Sequence, residues 1–343
     1  MTIFDLITSE ALAAYWLEMP EAQDPVLGDE LFPNQQKLGL DIKYIKGAKG
    51  LPVVLKPSSY DVEALKRDRL GFEKLSMQMP FFKESTYIDE ELRQQLNMVL
   101  ETGNQAYIDS VLNNVFDDEM RLLRGAKAQR ERMKMMALTT GAINIAANGQ
   151  AYTYDYHMPA SNKVTTATAW SNPAATIIDD IRDLQDAIYD ATGVKPTRAV
   201  CNNVTMKYLL KNNEIRSMIN PLGQTKPVKE SEVRQLLLDV LELEVVVNNK
   251  KYKNEAGTAT KYVPDDTFAI FPEGTLGTGW FGTTPEQSDL MSSGVANVSI
   301  VDTGVAITTS QKVDPVQVET KVSQVCLPSF EMVDHVGIID TTP

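Results

Sequence analysis

Apolar residues at three- and four-residue spacing mark two amphipathic helices. Leu92, Leu96, Val99, Gly103, Tyr107, Val111 and Val115 form one stripe with a polar reverse face, opened by Asp89, Glu90 and Glu91 where a helix dipole favours acids. The spacing predicts a long spine helix. Past Asp117 and Asp118 helical composition resumes over residues 119–138, with Gly125 as a candidate break and Thr139, Thr140 and Gly141 as the end. Ile177, Ile181, Leu184 and Ile188 form the second stripe; Asn172 is placed to cap it, Pro173 to begin it, and Gly193 and Pro196 to end it.

Elsewhere the period is two. Leu40, Ile42 and Tyr44, then Leu51, Val53 and Leu55, alternate around a turn marked by Gly47 and Gly50, and after the densely charged residues 56–73 the alternation resumes at Leu75, Met77 and Met79. An extended hairpin of this length has too few apolar residues for its own core and is expected to pack outside its own domain. Residues 142–156 read as strands around Asn148-Gly149. Strands follow at 197–201, 243–247 and 268–271, with helices around 204–210 and over 230–241, and a polar loop over 254–260. Residues 298–339 are strand-rich without a helical stripe, so they are expected beside the spine helix, closing a first unit around an inserted second one. Residues 1–38 begin amphipathic (Ile3, Leu6, Ile7, Leu12, Tyr15, Trp16), but Pro20, Pro25 and Pro33 predict an extended arm laid over something else. The fold class is α+β with a mixed sheet.

The 343 residues are roughly two domains' worth at about 150 each. Thirty-three Lys+Arg against 46 Asp+Glu leave a formal net charge of -13, which argues against the basic face that tight, sequence-independent nucleic-acid binding needs. The N-terminus lacks a basic n-region, and no apolar run nears the roughly 18 residues of a membrane span, so a soluble cytosolic protein is expected. Cys201 and Cys326 have no CxxC spacing, which excludes a disulfide framework and a zinc knuckle.

Few residues promise chemistry. Gly277, Gly279 and Gly282 satisfy GxGxxG after a strand, but Thr283, Thr284 and Pro285 open no helix on which a pyrophosphate could sit. His157 and His335 lack metal-site spacing, and Cys201 ends an apolar strand and reads as a core thiol. Asp179, Asp180, Asp183, Asp186 and Asp190 occupy the reverse face of the second stripe and read as a solvated face. The basic run Arg121, Arg124, Lys127, Arg130, Arg132 and Lys134 reads as exposed charge for solvation, ion pairing or protein contacts, with nucleic-acid contact as the lesser alternative. Catalytic residues, cofactors and metals are therefore not expected. An arm and a hairpin that cannot bury themselves imply neighbours, as in an assembly subunit.

AQRERMKMMALTTGAINI at 128–145, WSNPAATIIDDIRDLQDAIYDATGVKP at 170–196, FPEGTLGTGWFGTTPE at 271–286 and DPVQVETKVSQVCLPSFEMVD from Asp314 follow in an order that resembles the major capsid protein E family of tailed bacteriophages, the lambda type. The resemblance implies a Hong Kong 97-like capsid fold: N-terminal arm (1–38), E-loop (39–85), P-domain spine region (86–146), inserted A-domain with connecting strands (147–297) and P-domain return strands (298–343). It further implies hexamers and pentamers of an icosahedral shell holding double-stranded DNA without sequence-specific binding, matured by expansion. Its other implied partners are a separate scaffolding protein, a portal and decoration proteins. Lys56, Asp61, Lys66, Arg67, Asp68 and Arg69 in the E-loop are the expected inter-subunit contacts, and Gly103 and Gly125 the expected flex points of the spine. Lys56, Lys66 and Lys74 lie where some relatives crosslink to a neighbour's Asn, but nothing marks a reactive pair. An encapsulin-like compartment is the alternative within the fold; a nucleotide-binding enzyme using residues 277–282 is the alternative from another class.

Overall fold

The computed structural model describes residues 7–20, 24–46, 73–88, 90–101, 105–220, 227–290, 296–314 and 316–343. Its helices are α1 (Ser9–Glu18), α2 (Leu27–Leu31), α3 (Glu90–Glu101), α4 (Gln105–Thr140), α5 (Ile177–Thr192), α6 (Asn203–Lys211), α7 (Asn213–Ile219) and α8 (Glu230–Leu241). The strands are β1 (Asn34–Gln36), β2 (Asp41–Lys46), β3 (Glu73–Gln78), β4 (Phe81–Ile88), β5 (Ala142–Ala147), β6 (Gln150–Asp155), β7 (Lys163–Thr165), β8 (Arg198–Cys201), β9 (Glu244–Val247), β10 (Lys251–Lys253), β11 (Ala259–Lys261), β12 (Thr267–Phe271), β13 (Thr278–Phe281), β14 (Asn297–Val301), β15 (Val305–Val313), β16 (Val316–Ser329) and β17 (Gly337–Asp340). Two compact units result, one of residues 1–42, 77–133 and 278–329, the other of 43–76, 134–277 and 330–343.

The first unit is organised by β16. Its residues 316–324 pair with β15, 318–325 with β4 and 326–329 with β13, all antiparallel; β14 also pairs β15 antiparallel, and only β1 with β13 among these pairs is parallel. Side chains directly opposite one another share a face, so Val318, Thr320, Val322 and Gln324 line up with Ile307 and Thr309 of β15. Gln324 Nε2 donates to the Ala126 carbonyl of α4, which identifies this as the face that α4 covers. The opposite face is covered by residues 284–290, whose Glu286 accepts from Ser323 Oγ and pairs with Lys321 at 2.8 Å.

The second unit holds a mixed five-stranded sheet in the order β7-β17-β12-β8-β9, with β7 and β9 parallel to their neighbours and the rest antiparallel. Ile177, Ile181, Leu184 and Ile188 of α5 are buried with Leu209, Val233 and Leu237 against Ala199, Cys201, Val245, Phe268 and Ile270 of the sheet. Asn202 and Asn212 begin α6 and α7, each accepting backbone N–H groups of the first turn. β5 and β6 form the hairpin expected around Asn148-Gly149, both in the left-handed region (φ 51° and 73°) as a tight two-residue turn requires.

The structure corrects several expectations. The spine stripe is helical on both sides of residues 102–104, which lie outside the described residues, and α4 runs 36 residues through Gly125, which is no break. Helix α5 begins at Ile177 and not at Asn172, because the carbonyls of Pro173 and Ala175 are taken by Asn213 N and Asn212 Nδ2, while Asn172 caps a local turn through Ala174 N. Residues 254–260 close a β10–β11 hairpin with Tyr252 against Tyr262. Residues 330–339, expected beside the spine, belong to the second unit: β17 pairs with β12 and β7. The base of the charged hairpin is present, since β2 and β3 pair with each other; the Gly47 and Gly50 turn lies outside the described residues.

Candidate functional site

Among the described residues a structural hub stands out, where the arm, the long helix and the sheet of the first unit meet. Arg130 of α4 is 5% exposed. Its Nη2 reaches Asp302 Oδ2 at 2.6 Å, its Nη1 donates to Gln324 Oε1 at 3.1 Å, and its guanidinium lies 5.6 Å from the Phe281 ring centre. Asp302 sits in the β14–β15 turn with φ 49°, and its other oxygen accepts from Trp16 Nε1 of α1 at 3.2 Å. One residue on, the buried Glu131 carboxylate accepts Gly28 N at the start of α2, and Lys127 Nζ donates to the Asp24 carbonyl at 2.7 Å. Charge-assisted bonds of this kind are about twice as strong as neutral ones and set register as well as energy.

The described arm is therefore not an extended strap awaiting a neighbour. It folds as α1, α2 and β1 on its own subunit, with Ile7, Leu12, Trp16, Leu31 and Phe32 buried. Nor is the basic run a solvated face: Arg130 and Lys134 are buried, and Arg121 stays outside, paired with Asp118. Sequence reading missed this hub, although its signal was present. Val115, Glu119, Leu123, Arg130 and Lys134 continue one helical stripe, so ionisable residues occupy inward positions of α4.

Glu119 is a further inward ionisable residue of α4. It is 3% exposed against Thr320 of β16, and its Oε2 has no hydrogen-bond partner. Burial pushes its carboxyl up to about 7; the Thr320 hydroxyl acts in the opposite direction and Asp118 adds to the rise.

The sequence-flagged chemistry is consumed by structure. The Gly-rich segment is the β13 strand: Gly279 N donates to the Pro33 carbonyl and Gly282 N to the Val325 carbonyl, which leaves those amides nothing for phosphate. A Cβ on Gly282 would lie 2.7 Å from the Gly39 oxygen, so close packing explains that glycine. Cys201 is buried and its thiol is pushed up to about 12 by burial, the reverse of an activated nucleophile. His157 lies exposed in a turn, its N–H on Asp155 Oδ1, and His335 is buried in the second unit. Asp180 accepts from Trp170 Nε1, while Asp179, Asp183, Asp186 and Asp190 are exposed along α5. No group of three or more His, Cys, Asp or Glu that could hold a metal exists among the described residues, and no described helix is long and apolar enough to cross a membrane. Lys56, Asp61, Lys66, Arg67, Asp68, Arg69 and Gly103 lie outside the described residues. Gly125 is exposed, and a Cβ there would meet nothing within 4 Å.

Large apolar side chains remain outside in each unit. Leu38 beside the hairpin base is 87% exposed, and Leu17, Tyr87 and Met98 are more than half exposed. The second unit shows Tyr189, Met218 and Leu238.

The family model described as Phage major capsid protein E matches residues 8–336. Among solved structures, a protein described as a prophage capsid protein of E. coli CFT073 is 16% identical with a TM-score of 0.61, covering 97% of this chain and 99% of its own. A phage-related protein of Bordetella bronchiseptica RB50 is 13% identical with a TM-score of 0.57, covering 98% and 97%. The capsid of cyanophage A-1(L) is 13% identical at a TM-score of 0.51, covering 93% and 92%. No curated protein matches the sequence significantly. The fold is the Hong Kong 97-like capsid fold, and the chain belongs to the phage major capsid protein E family.

Proposed function

We propose that this phage major capsid protein E subunit assembles, without cofactor, into the hexamers and pentamers of an icosahedral shell that encloses double-stranded DNA and matures by expansion. One observation carries the reading: the family match spans residues 8–336 of a chain whose buried Arg130 and Glu131 hold its own arm, helix and sheet together. The candidates for catalysis are likewise absorbed by structure, so its role is that of a shell component and not an enzyme. The net charge of -13 suits a wall that must not grip the DNA packed against it.

In this reading residues 1–38 are the arm, 39–85 the E-loop and 86–146 the spine region; 147–297 form the A-domain, and 298–343 return to the P-domain except that 330–343 cluster with the second unit. Assembly takes place in the host cytoplasm with a separate scaffolding protein, a portal and decoration proteins, and the product is the virion. The E-loop charges Lys56, Asp61, Lys66, Arg67, Asp68 and Arg69 pair with an adjacent subunit. Arg67→Glu with Arg69→Glu should then weaken shells while the monomer's circular dichroism stays unchanged; normal shells would remove the loop from the interface.

Electron microscopy of the purified protein tests the function directly. Closed shells tens of nanometres across are expected, whereas a small oligomer that binds a nucleotide saturably would overturn the reading. DNA and not protein cargo inside particles from infected cells separates a phage head from an encapsulin-like compartment.

A further inference from the structure

The buried Glu119 has no role in the hub and no partner that explains its burial. Val115 and Leu123, one turn to either side on α4, are apolar and buried, so the carboxyl stands in the middle of an otherwise apolar contact. Beneath it lies Thr320, 1% exposed and outside full hydrogen-bonding geometry with the carboxyl.

Among the described residues no ion pair to it is present. On α4 the adjacent Asp117 accepts from Tyr15 Oη of α1, and Asp118 pairs with Arg121 at 3.0 Å, while Arg130, three turns on, is committed to Asp302. On the sheet the residues directly opposite Thr320 are Thr309 of β15 and Thr86 of β4, both uncharged. Glu84 of β4, on the same face opposite Val322, is an exposed acid. Lys312, Glu319 and Lys321 alternate to the other face, where Lys312 pairs with Glu319 at 2.9 Å and Lys321 with Glu286 at 2.8 Å. Beyond Tyr15, α1 carries only the acids Glu10 and Glu18. A neutral carboxylic acid fits this space; an ionised one lacks both water and a counter-charge there.

We propose that Glu119 is a proton-operated latch between α4 and β16: protonated, it lets the helix lie closed on the sheet, and ionised, it forces the two apart. The raised carboxyl places the transition near neutrality and not in acid. Because the open state holds Glu119 in water with an ordinary carboxylate affinity, opening is coupled to loss of one proton. Opening therefore grows by up to tenfold per pH unit from about 4.5 to about 7 and levels off above. The latch belongs to the single subunit and stands independently of what the shell encloses.

Hydrogen exchange of the full-length protein, followed in peptides covering residues 111–124 and corrected for the intrinsic pH dependence of exchange, reads the opening. Wild type should open more readily by at least about tenfold between pH 5 and pH 7, whereas Glu119→Gln should stay as protected at pH 7 as wild type is at pH 5. Identical pH profiles for the two, or a flat wild-type profile, would overturn the latch. Should the variant not fold, infrared spectra of wild type labelled with ¹³C-glutamate decide: a protonated glutamic-acid carbonyl band at pH 6 that vanishes by pH 8 supports the latch, and its absence at pH 6 overturns it.

Discussion

In the second unit, α5 to α8 press onto their sheet without one buried Asp, Glu, Lys or Arg among the described residues, whereas in the first unit α4 brings Glu119 and Arg130 onto its sheet and Glu131 onto the arm. The two interfaces have the same geometry in outline, an amphipathic helix over a mixed or antiparallel sheet, but different chemistry. Apolar burial is non-directional and indifferent to pH. Buried ion pairs and carboxyls hold only in one geometry and one protonation state. The contrast separates a unit built to keep its shape from one whose helix, arm and sheet are joined by contacts that can be switched.

Four measurements break or sharpen that contrast, the strongest first. Arg130→Ala leaves Asp302 without its counter-charge and removes the Gln324 bond, so denaturant unfolding should register a loss of about 3 to 5 kcal/mol, together with release of α1 detected by protease cleavage. Leu184→Ala, in the apolar core of α5 under Gly337, should cost about 3 kcal/mol by cavity formation, equally at pH 5 and pH 8. A pH-dependent penalty would contradict the description of that core as charge-free.

The third concerns the sign of the pH dependence. Glu119 is held at about 7 in the folded protein against an ordinary 4.5, so the native state binds the extra proton. Its contribution is complete below pH 4.5, falls as pH rises towards 7 and is gone above, a loss of about 3 kcal/mol that Glu119→Gln should abolish in thermal unfolding curves. The smallest effect belongs to Gly125→Ala. With open space around it, the added methyl should stiffen α4 and stabilise it by about 1 kcal/mol; combined with Gly103→Ala, it should change the fraction of shells that expand. Unaltered expansion would remove these glycines as flex points.

Much of the architecture was legible because it rests on periodicity. The α5 stripe of Ile177, Ile181, Leu184 and Ile188, the Asn148-Gly149 hairpin and the extent of α8 (Glu230–Leu241) all follow from local spacing and turn chemistry, and all are present. The helix start at Ile177 was not legible, since the bonds that displace it come from Asn212 and Asn213, more than 30 residues away. The arm was misjudged for the same reason. Its prolines do interrupt a continuous helix, but the burial of Trp16 and Phe32 depends on Asp302 and on a sheet assembled from residues some 250 positions later.

By itself the sequence determined the α+β class, most helices and strands, the absence of a recognisable catalytic motif and the family likeness carried by the four segments from residue 128 onward. Each is a property of neighbours along the chain, where the covalent order and the helical or strand period leave little freedom. Only the tertiary structure decided that Arg130 and Lys134 of the basic run point inward, that Thr278–Phe281 is a strand paired on both sides, and that Glu119 lies between α4 and β16 with its Oε2 unbonded. Those outcomes depend on which distant residue supplies the counter-charge or the carbonyl, and a local pattern carries no record of that partner.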